Sequence, residues 1–259
     1  MDLGLAGRSI LVSGGSRGIG LGIVRACLAE GARVTFTARN AESMNAQRDS
    51  LAREYGDENV AALSGDMTRP EEVERALEHA EAAMGPLWGA VANVGLSPCP
   101  PGFEVDDRTW QGGFAQNLDS AFFLARAALR GMTARRSGSI LMISSIAGMA
   151  AKSTPLTYGT AKAAMNHLAK ELAVIAGPSN VRVNALAPGN IKFPGGEWEQ
   201  RTSEGAPRAD AWLRWIKREV PLQRFGAVEE IGSVAAFLLS ERASFLTGAI
   251  VPVDGGQNR

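Results

Sequence analysis

The chain has 259 residues, of which 45% are hydrophobic and 21% are charged. That composition is typical of a globular protein, and the length suits one large α/β domain. Lysine plus arginine and aspartate plus glutamate both number 27, so no positive excess supports binding to nucleic acid or to a membrane surface. Two cysteines and two histidines are too few for a disulfide framework or a histidine-rich metal site, and we expect no metal.

The amino-terminal residues, MDLGLAGRSILV, lack the basic segment, long apolar run and cleavage site of a secretory signal. No apolar run approaches the roughly 18 residues that suggest a membrane-spanning helix. We therefore expect a soluble, cytoplasmic protein.

Short β-rich runs alternate along the chain with longer helical patterns. The predicted strands cover residues 8–13, 33–38, 60–64, 88–93, 139–143, 181–186 and 249–253. The predicted helices cover residues 18–30, 41–55, 70–84, 106–135 (as one helix or two pieces), 157–176 and 228–239. Strands that alternate with helices of about 12 or more residues predict a parallel sheet with helices on both faces. The expected fold is therefore α/β, a doubly wound seven-stranded sheet in a single domain of residues 1–259.

Residues 190–224, here called the insertion, interrupt this alternation and are too long for an ordinary connection. The insertion contains Trp198, Trp212 and Trp215, three of the five tryptophans in the chain. Trp212 and Trp215 are spaced to share one helix face, where they could close over a cofactor as part of a substrate lid. The alternative is that these tryptophans cover the core or make a subunit contact. Gly195-Gly196 is either the hinge of such a lid or a simple turn.

The segment SGGSRGIG, residues 13–20, places Gly14, Gly18 and Gly20 between a predicted strand and a predicted helix. Backbone amides at a helix N-terminus face an anion, and the missing side chains let a pyrophosphate approach. The alternative is a strand-to-helix turn that only needs positive φ angles. The spacing differs from the general G-x-G-x-x-G pattern, but its position after a strand predicts dinucleotide binding.

The end of the second predicted strand, VTFTARN, indicates which dinucleotide is bound. Many NAD sites carry an acidic residue there to hold the ribose hydroxyls, whereas this chain has Ala38 followed by Arg39. Arg17 lies inside the glycine-rich turn, and two guanidinium groups near a ribose would pair with a 2′-phosphate. The sequence therefore favours NADP(H), with NAD(H) as the alternative. Both arginines could instead be ordinary surface residues.

Tyr158 and Lys162 are four residues apart in a helical pattern, so they share a face, and Ser145 follows the preceding predicted strand. A free tyrosine has a pKa of about 10, which leaves roughly one molecule in a thousand ionised at pH 7. A nearby ammonium favours the phenolate and eases proton exchange with an alcohol. A serine hydroxyl could hydrogen-bond the same substrate oxygen. The alternative for such a pair is a surface helix with a solvated lysine.

These motifs, in this order, resemble those of the single-domain short-chain dehydrogenase/reductase family, which has a Rossmann fold, over essentially the whole chain. SGGSRGIG is similar to the family's T-G-x-x-x-G-x-G turn, with Ser13 in place of the usual threonine. Further resemblances are GDM at 65–67, ANVG at 92–95 with alanine and valine replacing two members, Asn117 in FAQNLDSAF, Pro188-Gly189, and VDGG at 253–256. The threonine that often follows the P-G element is not evident in NIKFPGG.

The resemblance implies a function for each motif. NADPH would deliver hydride to a carbonyl carbon while Tyr158 protonates the oxygen, helped by Ser145, and the reverse reaction would oxidise an alcohol. Lys162 would bind the nicotinamide ribose, and Asn117 would anchor a water in a proton relay. The implied catalytic residues are Asn117, Ser145, Tyr158 and Lys162. The implied or predicted cofactor contacts are Gly14, Ser16, Arg17, Gly18, Ile19, Gly20, Arg39, Asp66, Met67, Asn93, Gly95, Tyr158, Lys162, Pro188, Gly189 and Ile191.

The substrate is expected to be a small carbonyl compound or alcohol, with a mild preference for an apolar or aromatic ketone. Its walls would come from residues 96–103, residues 146–152 and the insertion. One alternative is a 3-oxoacyl carrier-protein reductase, in which arginines would meet an acidic acyl carrier protein. Those arginines are Arg126, Arg130, Arg135 and Arg136.

Two further alternatives are a catalytically idle dinucleotide sensor or scaffold, and a sugar-nucleotide epimerase. The intact Ser145, Tyr158 and Lys162 set argues against the first, and the second normally needs more C-terminal mass. The resemblance also implies a homodimer or homotetramer, assembled through the long helices and the last strand.

Overall fold

The computed structural model describes residues 2–95, 99–100, 102–152 and 154–258. Part of the expected substrate wall at residues 96–103 therefore lies outside the described residues. The seven strands are β1 (Ser9–Val12), β2 (Arg33–Ala38), β3 (Val60–Ser64), β4 (Leu87–Ala92), β5 (Gly138–Ile143), β6 (Val181–Pro188) and β7 (Ile250–Val253). They form one parallel sheet in the order β3-β2-β1-β4-β5-β6-β7, which confirms the predicted fold class.

Helices cover both faces of this sheet. They are α1 (Gly18–Ala29), α2 (Ala41–Tyr55), α3 (Pro70–Met84), α4 (Asp107–Phe114), α5 (Ser120–Arg135), α6 (Leu156–Ala176), α7 (Glu197–Thr202), α8 (Ala209–Glu219) and α9 (Val228–Leu239). Apolar side chains of α1, α2 and α9 form one core layer, and those of α3, α5 and α6 form the other. Strands such as β5 and β6 are buried along their whole length because both faces of the sheet are covered.

The order of the strands determines where the candidate site lies. The chain starts at β1, winds outward through β2 and β3, and then returns to place β4 on the other side of β1. At such a switch point the connections leave the carboxyl ends of neighbouring strands in opposite directions, which opens a crevice where ligands bind. The glycine-rich turn follows β1, and Asn93 follows β4, so both border this crevice.

Several predicted elements match the structure, and others differ for identifiable reasons. The bounds of α2, α3 and α9 are as predicted. Strand β6 continues two residues beyond its predicted end because Pro188 pairs with Val253 of β7. The long helix predicted over residues 106–135 is α4 and α5 joined by a π-helical turn, Ala115–Asp119. The insertion contains two helices, α7 and α8.

Buried Arg182 on β6 connects the sheet to the end of α9. Its guanidinium donates to the carbonyl oxygens of Leu238 at 2.7 Å, Leu239 at 3.3 Å and Ser240 at 2.9 Å. These carbonyls lie at the C-terminus of a helix, where no following turn supplies an amide donor. Burial lowers the pKa of Arg182 to about 10, and the group is still cationic at neutral pH, so it complements the helix dipole.

Within the described ranges, we find no helix with both the length and the apolar character needed to span a bilayer.

Candidate active site

A cavity of about 340 Å³ lies at the carboxyl edge of the sheet, along the crevice between β1 and β4. Most of the predicted site residues line it, although they come from distant parts of the chain. They are Gly14, Ser16, Arg17, Gly18, Ile19, Gly20, Arg39, Asp66, Met67, Asn93, Gly95, Ser145, Tyr158, Lys162, Pro188 and Gly189. Two predicted residues, Asn117 and Ile191, lie outside this lining.

The glycine-rich turn holds a conformation that larger residues would not permit. Gly18 has a φ angle of +57°, which lies in the left-handed region that favours glycine. A β-carbon on Gly20 would lie 2.1 Å from the carbonyl oxygen of Gly14. Asn93, the residue after β4, stabilises the turn, because its Nδ2 donates to the carbonyl oxygens of Ser13 at 3.1 Å and Gly14 at 3.0 Å.

The N-terminus of α1 has the chemistry of an anion site. Arg17, at the cap position, makes no side-chain capping bond, and the first turn carries no acidic residue. By contrast, the N-terminus of α2 is capped internally, since Asn40 Oδ1 accepts from the Ser43 amide at 2.8 Å. Helix α1 therefore directs uncapped amides into the cavity, and their partial positive charge suits a dinucleotide pyrophosphate.

Two arginines and an aspartate line the cavity on the side of β2 and β3. Arg17 and Arg39 both border it, and Ala38 occupies the place where an acidic residue would oppose a phosphate. Within the described part of the chain, no acidic side chain engages either guanidinium. Asp66 Oδ1 accepts from the amide and the hydroxyl of Thr68, at 3.0 and 2.8 Å, which fixes the carboxylate after β3. These residues could hold the adenosine end of a dinucleotide.

The three predicted reactive side chains meet at the other side of the cavity. Tyr158 and Lys162 lie one turn apart near the start of α6, and Ser145 follows β5. Lys162 is buried, and its Nζ donates to the Ile143 carbonyl oxygen at 2.8 Å. The same nitrogen lies 5.7 Å from the centroid of the Tyr158 ring. The Ser145 hydroxyl lies near enough to the Tyr158 phenol to lower the pKa of that phenol.

Burial dominates the titration of both groups. Burial raises the pKa of Tyr158. The Ser145 side chain lowers this pKa, and the negative charge of Glu197 raises it further. Burial also lowers the pKa of Lys162 to about 7. Ser145 lowers the pKa of Tyr158, and burial outweighs this effect. The phenol is therefore held in its protonated form at neutral pH. The expected effect of the Lys162 ammonium on the phenol stays a prediction.

Asn117 lies behind the cavity wall in the π-helical turn. Its side chain is buried, and its Nδ2 donates to the Gly113 carbonyl oxygen at 2.9 Å. A β-carbon on Gly95 would lie 3.0 Å from Asn117 Oδ1 and 3.2 Å from Lys162 Nζ. The Asn117 amide oxygen and the Lys162 ammonium therefore lie on the same side of Gly95. Single π-helical turns inside α-helices often occur at functional sites.

Ile191 lies away from the other predicted contacts. It is buried and forms an isolated parallel bridge with Gly226. It borders a second cavity of about 550 Å³, together with Arg224 and Glu230, which pair at 2.7 Å.

Sequence reasoning missed several residues that line the first cavity. The most informative are Phe193 and Glu197, which belong to the insertion. The others are Thr37, Gln116, Ile143 and Ser144. The cavity is also lined by residues that the sequence had marked only as parts of a strand end, a motif or a turn, namely Ala38, Gly65, Val94, Gly195 and Gly196. Strand ends supplied a usable signal for Thr37, Ser144 and Val94, whereas no local pattern marks Phe193 or Glu197.

The tryptophans of the insertion form one aromatic cluster. Trp198 of α7 stacks on Trp215 of α8 with ring centroids 5.7 Å apart, and it meets Trp212 edge-on at the same distance. Trp212 and Trp215 share one side of α8, as their spacing predicted. The Arg201 guanidinium lies 5.0 Å from the Trp212 ring centroid. These contacts join α7 to α8 beside the cavity.

Comparisons with known proteins agree with this geometry. A family model described as Enoyl-(Acyl carrier protein) reductase matches residues 14–258. L-xylulose reductase of Bos taurus is 37% identical over 99% of this chain and 98% of its own. The 3-oxoacyl-acyl-carrier-protein reductase of Aquifex aeolicus is 30% identical over 99% of both chains. L-sorbose reductase from Gluconobacter frateurii, complexed with NADPH and L-sorbose, superposes with a TM-score of 0.92 at 30% identity, covering 100% of this chain and 99% of that one.

A match of this extent, with relatives at or above 30% identity along nearly their whole length, shows the family directly. The chain belongs to the short-chain dehydrogenase/reductase family of oxidoreductases.

Proposed function

We propose that this enzyme is an NADP(H)-dependent oxidoreductase that transfers hydride between the nicotinamide and a ketone or secondary alcohol. The observation that carries the proposal is that one cavity is lined by the glycine-rich turn and by Ser145, Tyr158 and Lys162. A dinucleotide held at the turn would share this cavity with the reactive side chains. Mere binding of a dinucleotide does not need Ser145, which argues against an idle sensor or scaffold.

NADP(H) is favoured over NAD(H) by the charges in the adenosine end of the cavity. Arg17 and Arg39 supply cations there, and Ala38 removes the carboxylate that would repel a 2′-phosphate. The sorbose reductase that superposes on this chain is itself complexed with NADPH.

The chain's own residues account for the proton transfer. When bound, the nicotinamide supplies or accepts hydride at the substrate carbon. The Tyr158 hydroxyl donates its proton to the carbonyl oxygen, and the Ser145 hydroxyl hydrogen-bonds the same oxygen as its charge develops. Lys162, with its nitrogen anchored on Ile143, provides positive charge and donors near the Tyr158 ring. Asn117, in the π-helical turn, anchors a water in the relay that returns a proton to Tyr158.

Burial of Tyr158 favours reduction at neutral pH. Because burial raises the pKa of the phenol, the protonated form needed for carbonyl reduction predominates. Alcohol oxidation needs the phenolate and is therefore expected to be faster under alkaline conditions.

The relatives and the insertion suggest different carbonyl substrates. Relatives named L-xylulose reductase and L-sorbose reductase act on small hydroxyketones. The aromatic cluster beside the cavity supports an apolar or aromatic ketone. We propose that the insertion is the substrate lid, so both classes belong in the first substrate panel.

A 3-oxoacyl carrier-protein reductase is the second candidate, supported by the Aquifex aeolicus relative. The arginines suggested for carrier docking are, however, engaged within the chain. Arg130 pairs with Glu74 at 2.7 Å, and Arg135 pairs with Glu81 at 3.4 Å. Arg136 donates to the Pro178 carbonyl oxygen at 2.9 Å. Arg126 lies 5.2 Å from the Phe122 ring centroid. These contacts weaken the docking argument.

We also propose a homodimer or homotetramer. On α6, the apolar side chains of Val174 and Ile175 are 75% and 68% exposed. A contact with a second subunit would cover this apolar surface.

The test is a panel of hydroxyketones, apolar ketones, aromatic ketones and a 3-oxoacyl carrier thioester, followed by the loss of NADPH absorbance and repeated with NADH. We expect turnover of at least one ketone, with NADPH preferred. No turnover across the panel with protein that binds NADPH would favour the sensor alternative. Turnover of the carrier thioester alone would favour the second candidate.

A further inference from the structure

The ring of Phe193 packs directly on the glycine-rich turn. A β-carbon on Gly18 would lie 2.8 Å from Phe193 Cζ and 2.9 Å from Cε2. The ring therefore fills the space beside Gly18 that a side chain would otherwise take. The same ring packs on Gly196, where a β-carbon would lie 2.9 Å from Cε2. Phe193 is thus held between the turn and the start of α7.

A dinucleotide pyrophosphate bound at this turn would approach Gly18 as well. Gly18 is the first residue of α1, whose N-terminal amides carry no side-chain cap. The absence of a side chain at such a position is what lets phosphate oxygens come close to the backbone. Phe193 and Gly18 line the same cavity, and the ring contacts the side of Gly18 that carries no side chain.

We propose that Phe193 is a gate residue of the dinucleotide site, whose ring competes with the pyrophosphate for the open face of Gly18. The proposal rests on the proposed function, because it assumes that a dinucleotide binds at the turn. Dinucleotide binding then requires the ring to leave Gly18.

The backbone contacts around Phe193 indicate which segment moves when the ring is displaced. On one side the chain is fixed, since the Lys192 amide donates to the Gly226 carbonyl oxygen at 2.9 Å and Ile191 bridges Gly226. On the other side, the Gly196 amide donates to the Phe193 carbonyl oxygen at 3.0 Å, in a tight turn that leads into α7. Gly195 in this turn has a φ angle of +72°. Displacing the ring therefore acts on α7, which carries Glu197 and Trp198, rather than on β6.

A gate of this kind lowers the apparent affinity for the dinucleotide, because only the molecules in which the ring is already displaced can bind it. Removing the ring should therefore tighten the binding of any ligand whose pyrophosphate contacts Gly18. It should leave unchanged the binding of a ligand that reaches only the adenosine end.

Two probes separate these cases by calorimetry. 2′-Phospho-ADP-ribose carries the pyrophosphate, and 2′-AMP does not. We expect Phe193→Ala to bind 2′-phospho-ADP-ribose about fivefold more tightly than the wild type, with no change for 2′-AMP. Phe225→Ala is the matched control, because Phe225 packs on Trp198 at 5.2 Å but does not line the cavity. We expect it to bind both probes as the wild type does.

A second measurement follows the ring in the wild type. Tryptophan fluorescence reports on Trp198 and its cluster, so 2′-phospho-ADP-ribose should change it and 2′-AMP should not. Weaker or unchanged binding of 2′-phospho-ADP-ribose by folded Phe193→Ala would overturn the gate. Equal tightening by Phe225→Ala would also overturn it, because general loosening of the insertion would then explain the effect. If the wild type bound neither probe, the proposed function itself would fail.

Discussion

The Lys162 ammonium nitrogen lies 5.7 Å from the centroid of the Tyr158 ring, in one wall of the cavity where Lys162 is buried and Tyr158 is partly buried. Burial disfavours the charged form of each group, so it moves their two pKa values in opposite directions. The result is a neutral phenol beside an amine that titrates near physiological pH. Such opposed shifts are typical of acid–base sites, because they prepare groups for proton transfer.

Lys162→Met should change how stability depends on pH. Burial lowers the pKa of Lys162 to about 7 in the folded protein, whereas an unfolded lysine titrates at about 10.4. Between these values the unfolded chain binds more protons, so this group makes the free energy of unfolding rise with pH, by at most about 1.4 kcal/mol per pH unit. Urea unfolding of both proteins from pH 6 to 9.5 measures the difference. A difference that stays flat above pH 7 would contradict the burial argument.

Arg39→Ala should weaken the binding of NADPH and spare NADH. Loss of charge-assisted hydrogen bonds to a 2′-phosphate corresponds to about 1.5–3 kcal/mol, or roughly 10- to 100-fold in the dissociation constant. Fluorescence titration with both dinucleotides checks this. Arg53→Ala, an exposed arginine on α2 outside the cavity lining, is the control. Equal weakening for both dinucleotides would place Arg39 away from the 2′-phosphate.

Glu197→Gln should move the pH dependence of alcohol oxidation. The Glu197 charge is one of the causes that raise the pKa of Tyr158. Removing that charge therefore lowers the pKa, and the phenolate needed for oxidation forms at lower pH. The pH profile of kcat should shift toward acid in this variant and stay in place in Glu204→Gln, which removes a charge elsewhere in the insertion. A shift toward alkaline pH in Glu197→Gln would be inconsistent with the electrostatic coupling.

Arg182→Met should destabilise the fold without touching the cavity. It leaves the carbonyl oxygens of Leu238, Leu239 and Ser240 without the donors that Arg182 provides. Buried acceptors that lose their partners cost about 1–3 kcal/mol each, and partial relaxation suggests a total of about 2–4 kcal/mol. Urea denaturation should show this loss, with Arg182→Lys recovering part of it. A loss below about 0.5 kcal/mol would show that water replaces the guanidinium.

Local patterns were sufficient to predict the elements that build the sheet and its helices. Helix α3 begins with Pro70 at its first turn and ends before Gly85, and both signals are local. Helix α2 is bounded in the same way by the Asn40 cap and Gly56. The positions of Ser145, Tyr158 and Lys162 at one edge followed from the strand that precedes Ser145 and from the four-residue helical spacing.

Contacts between distant segments could not be predicted in this way. The short helices α7 and α8 are held by Trp198, Trp212 and Trp215 meeting one another, which depends on tertiary packing. The approach of Phe193 to Gly18 joins residues that are far apart in the chain. The direction of the Tyr158 pKa shift likewise depends on burial, which the spacing of Tyr158 and Lys162 does not reveal.

The most direct test of the account is the turnover of Tyr158→Phe, which removes only the hydroxyl that donates the proton. With the best ketone from the panel, we predict that NADPH binds as it does to the wild type while kcat falls about 10²- to 10⁴-fold. Tyr55→Phe removes the hydroxyl of the chain's other tyrosine and should turn over normally. If folded Tyr158→Phe retained wild-type turnover, Tyr158 would not be the proton donor, and the proposed mechanism would be wrong.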